Sequence, residues 1–143
     1  MEIRRITPRY SVSPQITVED VPAIKAAGFV RVICNRPDSE VPFDLQSEAI
    51  DRAVRDAGME FEVLELTHHT MTPENIARQR ELSENCDGPV LAYCASGTRC
   101  TVAWALGQCD RMDPDQILET TRKAGYALDQ LRPALEQFRS KAT

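Results

Sequence analysis

The sequence predicts a single α/β domain whose central sheet is mainly parallel and covered by helices on both faces. Three observations carry that expectation. Short apolar, β-branched runs alternate with longer amphipathic stretches along nearly the whole chain, the rhythm of parallel strands joined by crossover helices. Several amphipathic stretches stop at a glycine, the residue that accepts a left-handed backbone at a helix end. The chain has 143 residues, 42% of them hydrophobic, enough for one core and too few for two domains of ordinary size.

Near the N-terminus, "EIRRI" and "YSVSPQI" read as short strands or an extended ribbon. "TVEDVPAIKAAG" reads as a helix, with Thr17 as cap, Asp20 three residues on and Gly28 as stop. Pro22 is tolerated only in a first turn, so the regular helix is expected from Asp20. "FVRVIC" is a strand, and "NRPDSEVPF", with its two prolines, a loop. "DLQSEAIDRAVRDAG" places Leu45, Ala49, Ile50, Ala53 and Val54 on one helical face and ends at Gly58.

"MEFEVLELT" alternates apolar and acidic residues, a strand with one wet face. After the loop that begins "THHTM", Thr72 caps a helix with Pro73 in its first turn, running to about Asn85. "GPVLAYC" is nearly all apolar, as a central strand buried on both faces requires. "TVAWALGQC" continues as a buried helix. "MDPDQILETTRKAG" starts again at Asp113 and Pro114, and a last helix carries Leu128, Leu131, Leu135 and Phe138. No repeat or linker interrupts the pattern, so one domain is expected over 1–143.

The formal net charge is -5 and the pI about 5.1, which argues against nonspecific nucleic-acid binding, a function that needs a basic stripe. A local anion site is compatible with that balance. No stretch approaches the roughly 18 apolar residues of a membrane span, and "MEIRRITPRY" lacks a secretory h-region. A cytoplasmic protein with no membrane segment is expected. Cysteines stand at 34, 86, 94, 100 and 109, an odd number without a close CxxC pair, and the only histidines are the adjacent His68 and His69. That pattern predicts neither a disulfide framework nor a metal site, and no cofactor.

The chemistry is concentrated in "VLAYCASGTRCTVAW". Cys94 ends the strand expected at the centre of the sheet, and ligands of such sheets bind beyond the carboxyl ends of the strands. Ala95, Ser96, Gly97 and Thr98 are small enough for their amides to converge on one point, and Gly97 can take a positive φ. A helix follows at once, and its N-terminal partial positive charge points at the same spot. Arg99 adds a planar fork that can grip two oxygens of an anion. A cysteine at a helix N-terminus beside a cation has its pKa lowered to roughly 3.5–7.5. Cys94 and Arg99 are therefore the candidate nucleophile and anion clamp, and Ala95 through Arg99 the anion-binding loop.

Together with "SVSPQIT", "AAGFVRVICNRPDSE", "AGMEFEVLELT" and "TPENI", this loop resembles the phosphatase-like domain of bacterial beta-lactamase-hydrolase-like proteins. That family is related to tyrosine and dual-specificity phosphatases. The resemblance runs from about Tyr10 to Leu106, and "DPDQILETTRKAGYALDQLRPALE" fits the usual tail. It implies a tyrosine/dual-specificity-phosphatase-like fold with C-terminal helices, Cys94 as nucleophile, Arg99 as clamp, and Arg36 and Glu40 as an ion pair bracing a loop near the site.

Several features depart from the phosphatase pattern. Four residues separate Cys94 from Arg99, where true tyrosine phosphatases place five and many single-domain rhodaneses four. Members of the family have been labelled sulfurtransferases on that basis. The hydroxyl that phosphatases place after the arginine is replaced by Cys100, with Thr101 beside it. "LTHHTMTPEN" has no Asp to act as general acid, which leaves His68 or His69 as candidates. Cys34, ending the neighbouring strand, and Cys100 are candidate disulfide partners for an oxidised Cys94, with Cys34 expected to be the better placed.

Three readings stay open at this level. The first is a cysteine-dependent phosphatase acting on a phosphate ester. The second is a sulfurtransferase carrying a persulfide on Cys94, which needs a sulfane-sulfur donor and no general acid. The third is a binding module that captures an anion without turnover. All three imply a small anionic partner.

Overall fold

The computed structural model describes residues 2–142. Five strands form one sheet: β1 (Arg4–Arg5), β2 (Tyr10–Ser13), β3 (Arg31–Cys34), β4 (Glu60–Val63) and β5 (Val90–Tyr93), in the order β1-β2-β5-β3-β4. β2, β5, β3 and β4 run parallel, and β1 adds an antiparallel edge. The mainly parallel α/β architecture is the one expected. Every residue of β2, β3 and β5 is buried, while in β4 at the far edge only Phe61 is buried, and Val63, two residues on, is exposed.

Six helices cover the sheet: α1 (Val21–Ala26), α2 (Ser47–Asp56), α3 (Pro73–Glu84), α4 (Thr98–Gly107), α5 (Pro114–Lys123) and α6 (Arg132–Ala142). The strand pleat sends successive side chains to opposite faces, and two cores result. One joins Val32, Cys34, Leu91 and Tyr93 to α1 and α2 through Ile24, Ile50 and Val54. The other joins Ile33, Ala92 and Cys94 to α3, α4, α5 and α6 through Leu82, Trp104, Ile117 and Leu135.

The first helical segment begins as a 3-10 turn at Val18–Asp20, with α1 proper starting at Val21 and Pro22 in its first turn. Asp20 accepts the Thr17 amide at 2.9 Å, and Gly28 takes φ +98 at the stop. α2 starts at Ser47 rather than at Asp44. Leu45 closes a separate 3-10 turn, and Asp38, nine residues upstream, accepts both the amide and the hydroxyl of Ser47 at 2.7 and 3.0 Å. A cap supplied from that far back leaves no mark in the helical periodicity.

One polar chain crosses the larger core. The Asn35 amide exchanges hydrogen bonds with Gln79 at 2.8 and 2.9 Å and donates to Leu64 O, and Gln79 donates to the Tyr10 hydroxyl at 3.1 Å. Tyr10 in turn donates to the Cys100 carbonyl at 2.7 Å. All three side chains are buried and hydrogen-bonded, as buried polar groups must be to avoid a desolvation penalty. The chain anchors the first turn of α4 to β2, β3 and α3.

Candidate active site

β5 delivers Cys94 to the carboxyl edge of the sheet, and the chain turns into α4 within four residues. The turn is possible because Gly97 sits at φ +91, a left-handed conformation that costs other residues roughly 1–2 kcal/mol. Space also dictates glycine there, since a Cβ would stand 2.2 Å from the Tyr126 hydroxyl oxygen. That hydroxyl donates to Ser96 O at 3.0 Å and holds the loop from outside. From inside, Thr101 Oγ1 donates to Gly97 O at 2.8 Å. Ser96 and Thr98 join hydroxyls at 2.9 Å at the exposed rim.

Cys94 is almost wholly buried, at 1% exposure, and its sulfur accepts the Gly97 amide at 3.1 Å. Its pKa is lowered to about 5. The largest cause is a hydrogen bond from the Cys100 thiol, followed among the favourable ones by the amides of Cys100, Ser96 and Gly97; burial works the other way and is outweighed. Cys100 is pushed well above its ordinary value by its own burial and by the thiolate beside it. With its pKa lowered to about 5, Cys94 favours the thiolate at neutral pH, while Cys100 stays a thiol.

Arg99 reaches across to the loop after β3. Its Nη1 and Nη2 pair with the two Glu40 oxygens at 3.0 and 2.7 Å, and Nη1 also donates to Leu66 O at 2.9 Å. Those bonds use three of the five guanidinium N–H groups. The edge formed by Nε and the second Nη2 hydrogen has no protein acceptor among the described residues. Arg36 lies on the other side of Glu40, with Nε 3.3 Å from the carboxylate and Nη1 donating to Gln15 Oε1 at 3.3 Å. The Arg36–Glu40 pair is therefore half of a three-member bridge whose shorter arm goes to Arg99. The Arg99 hydrogen bond holds the Glu40 carboxyl below the usual carboxylate range, with Arg36 adding to it.

The remaining sequence-derived candidates separate. His68 and His69 lie in an exposed turn just past Leu66, their rings tilted against each other with centroids 4.1 Å apart. Neither ring is hydrogen-bonded within the described residues. Cys34 is not brought to Cys94. It is in register with Tyr93, one residue before Cys94, so the two-residue period of a strand sends it into the opposite core, where its thiol donates to Arg36 O at 3.4 Å. Of the two thiols considered as redox partners, Cys100 is the one buried in the same core as Cys94.

Sequence reasoning missed Tyr126 as the outer brace of the loop. Its only local signal is the position after Gly125, which itself takes φ +102. It also missed the link between Glu40 and Arg99, residues 59 positions apart in the chain.

A family model described as "Beta-lactamase hydrolase-like protein, phosphatase-like domain" matches residues 2–111. A beta-lactamase hydrolase-like protein of Agrobacterium fabrum is 31% identical over 130 residues, covering 90% of this chain and 30% of that protein. The chain thus spans about a third of the length of the curated relatives it matches. A crystal structure of a candidate phosphatase from Neisseria meningitidis superposes with a TM-score of 0.87 at 30% identity, covering 97% of this chain and 99% of that one. PTPMT1 superposes with a TM-score of 0.78 at 15% identity over 98% of this chain and 95% of its own, a likeness of fold alone.

Proposed function

The chain belongs to the family of phosphatase-like domains of beta-lactamase hydrolase-like proteins, and from that membership we propose that it is a cysteine-dependent hydrolase of phosphate esters with Cys94 as its nucleophile. One observation carries the proposal: a buried cysteine with a pKa of about 5 lies in a loop of inward amides, one strand-to-helix turn from an arginine with a free two-donor edge. The Cys94 thiolate attacks phosphorus, the bond to the leaving oxygen breaks, and a cysteinyl-phosphate forms. Water then hydrolyses this intermediate, releasing inorganic phosphate and the thiolate.

The amides of Ala95 through Arg99 and the free Arg99 edge stabilise the charge on the transferring group. Glu40 keeps the guanidinium in the plane that presents that edge. Glu40 is unsuited to protonating the leaving oxygen, because two arginines hold it ionised. His68 and His69, on the turn that follows the Arg99-bound Leu66, are the candidate acids.

A second reading rests on the four-residue loop and on that ionised Glu40: a sulfurtransferase carrying a persulfide on Cys94 needs no acid. Phosphate-ester hydrolysis and thiosulfate sulfurtransferase activity, each measured on wild type and Cys94→Ser, separate the two. Phosphatase activity lost in Cys94→Ser is the expected result. Equal hydrolysis by both proteins overturns the proposal, and Cys94-dependent sulfur transfer without hydrolysis supports the second reading. Saturable oxyanion binding abolished by Arg99→Ala, with neither activity, would reduce the domain to an anion-binding module.

A further inference from the structure

Away from Cys94, a cavity of about 420 Å³ opens between β2, α3, α4 and α5. That volume falls within the usual range for small organic ligands. Tyr10, Trp104 and Met112 are apolar members of its wall, and Gln108 lines it beside them. Gln108 is 7% exposed, yet among the described residues its side-chain carbonyl and amino group have no hydrogen-bond partner. The Trp104 indole N–H, on an 8% exposed residue lining the same cavity, has none either. Both residues line the same concave space, where polar groups without a protein partner are open to a ligand.

The mouth is cationic in one place. Arg80 pairs with Asp110 at 2.8 Å, and Arg111 grips both oxygens of Glu84 at 2.8 and 2.9 Å. Arg9 differs: its Nη2 donates to the carbonyls of Glu84 and Cys86, and no carboxylate pairs with it among the described residues. The lining therefore offers an aromatic wall, a donor–acceptor pair and a net positive charge at the rim.

We propose that this cavity is a second ligand site, separate from the Cys94 loop, for a nucleotide whose base carries a lactam edge. The adjacent N–H and C=O of such an edge complement the carbonyl and amino group of Gln108. The base lies against Trp104 and Met112, and the phosphate meets Arg9. Tyr10 in its wall also donates to the Cys100 carbonyl in the first turn of α4, the helix that follows the Cys94 loop directly.

Guanosine 5′-monophosphate is the probe, titrated into Cys94→Ser so that no turnover occurs, with calorimetry alongside the fluorescence of Trp104, the only tryptophan in the chain. Saturable binding at about 1 mM or tighter that persists under excess inorganic phosphate is expected. Adding Gln108→Leu should weaken it about tenfold, since the donor–acceptor pair on the cavity wall is lost. Arg9→Gln, at the rim and outside the core packing, provides the same reading should Gln108→Leu fail to fold. No saturation, affinity unchanged in whichever of these variants fold, or displacement by inorganic phosphate each overturns the proposal; the last would place the nucleotide in the catalytic loop instead.

Discussion

Replacing Cys100 with alanine removes the thiol that bonds to the Cys94 sulfur, the largest single cause of its lowered pKa. A hydrogen bond to a charged group is worth about 1.5–3 kcal/mol, and one pKa unit corresponds to about 1.36 kcal/mol. The Cys94 inflection should therefore rise by about one to two units, from about 5 to about 6–7. The assay is the rate of iodoacetamide alkylation at Cys94 against pH, followed by peptide mapping because four other cysteines are present. Cys100→Ser keeps a donor at the same place, so its inflection should stay close to wild type. An unmoved inflection in Cys100→Ala, or an equal rise in both variants, would refute the thiol–thiolate pairing.

The same pair should control oxidation. Peroxide converts the Cys94 thiolate to a sulfenic acid with loss of hydroxide, and the Cys100 thiol then displaces water to form the disulfide. Mapping after mild peroxide should find Cys94 joined to Cys100, and a Cys94–Cys34 bridge would contradict the placement of Cys34 in the opposite core. Stability should depend on pH through Cys94, whose pKa is about 5 in the fold and about 8.5 unfolded. Because the folded value is the lower one, the stabilisation is complete above about 8.5 and is lost as pH falls through about 5. Urea melts of wild type and Cys94→Ser should diverge in slope across that window, and parallel profiles would count against a thiolate in the folded protein. Gly97→Ala should lower stability by at least about 1–2 kcal/mol, because its Cβ also meets Tyr126; Tyr126→Phe in the same chain should recover part of the melting temperature. Arg99→Lys cannot reproduce the bidentate Glu40 pair with a free second edge; turnover should fall by about 10²-fold or more with the circular dichroism spectrum unchanged. Near-wild-type turnover would remove Arg99 from the clamp role.

Much of this architecture was legible because it is local. The β-branched runs gave the strands, the caps Thr17, Thr72 and Asp113 and the glycine stops bounded helices, and the all-apolar "VLAY" marked β5 as a buried strand. The boundary of α2 was misplaced because its cap, Asp38, comes from another segment. Cys34 was expected to face Cys94 because strand ends were matched without register. The actual pairing, Cys34 with Tyr93, reverses that answer by one residue. Glu40 was seen with its near neighbour Arg36, while its shortest contact, at 2.7 Å, is to Arg99.

By itself the sequence determined the α/β rhythm, the loop from Cys94 to Arg99, and the cysteine's place at a helix N-terminus. Those properties depend on dihedral preference, side-chain period and spacing, all of which act within a few residues. The tertiary structure decided which thiol shares a core with Cys94, which carboxylate pairs with Arg99, that Tyr126 braces Gly97, and that a cavity opens beside Gln108. Each depends on segments brought together only when both faces of the sheet are covered, and distances between such segments are set by packing and register rather than by local pattern.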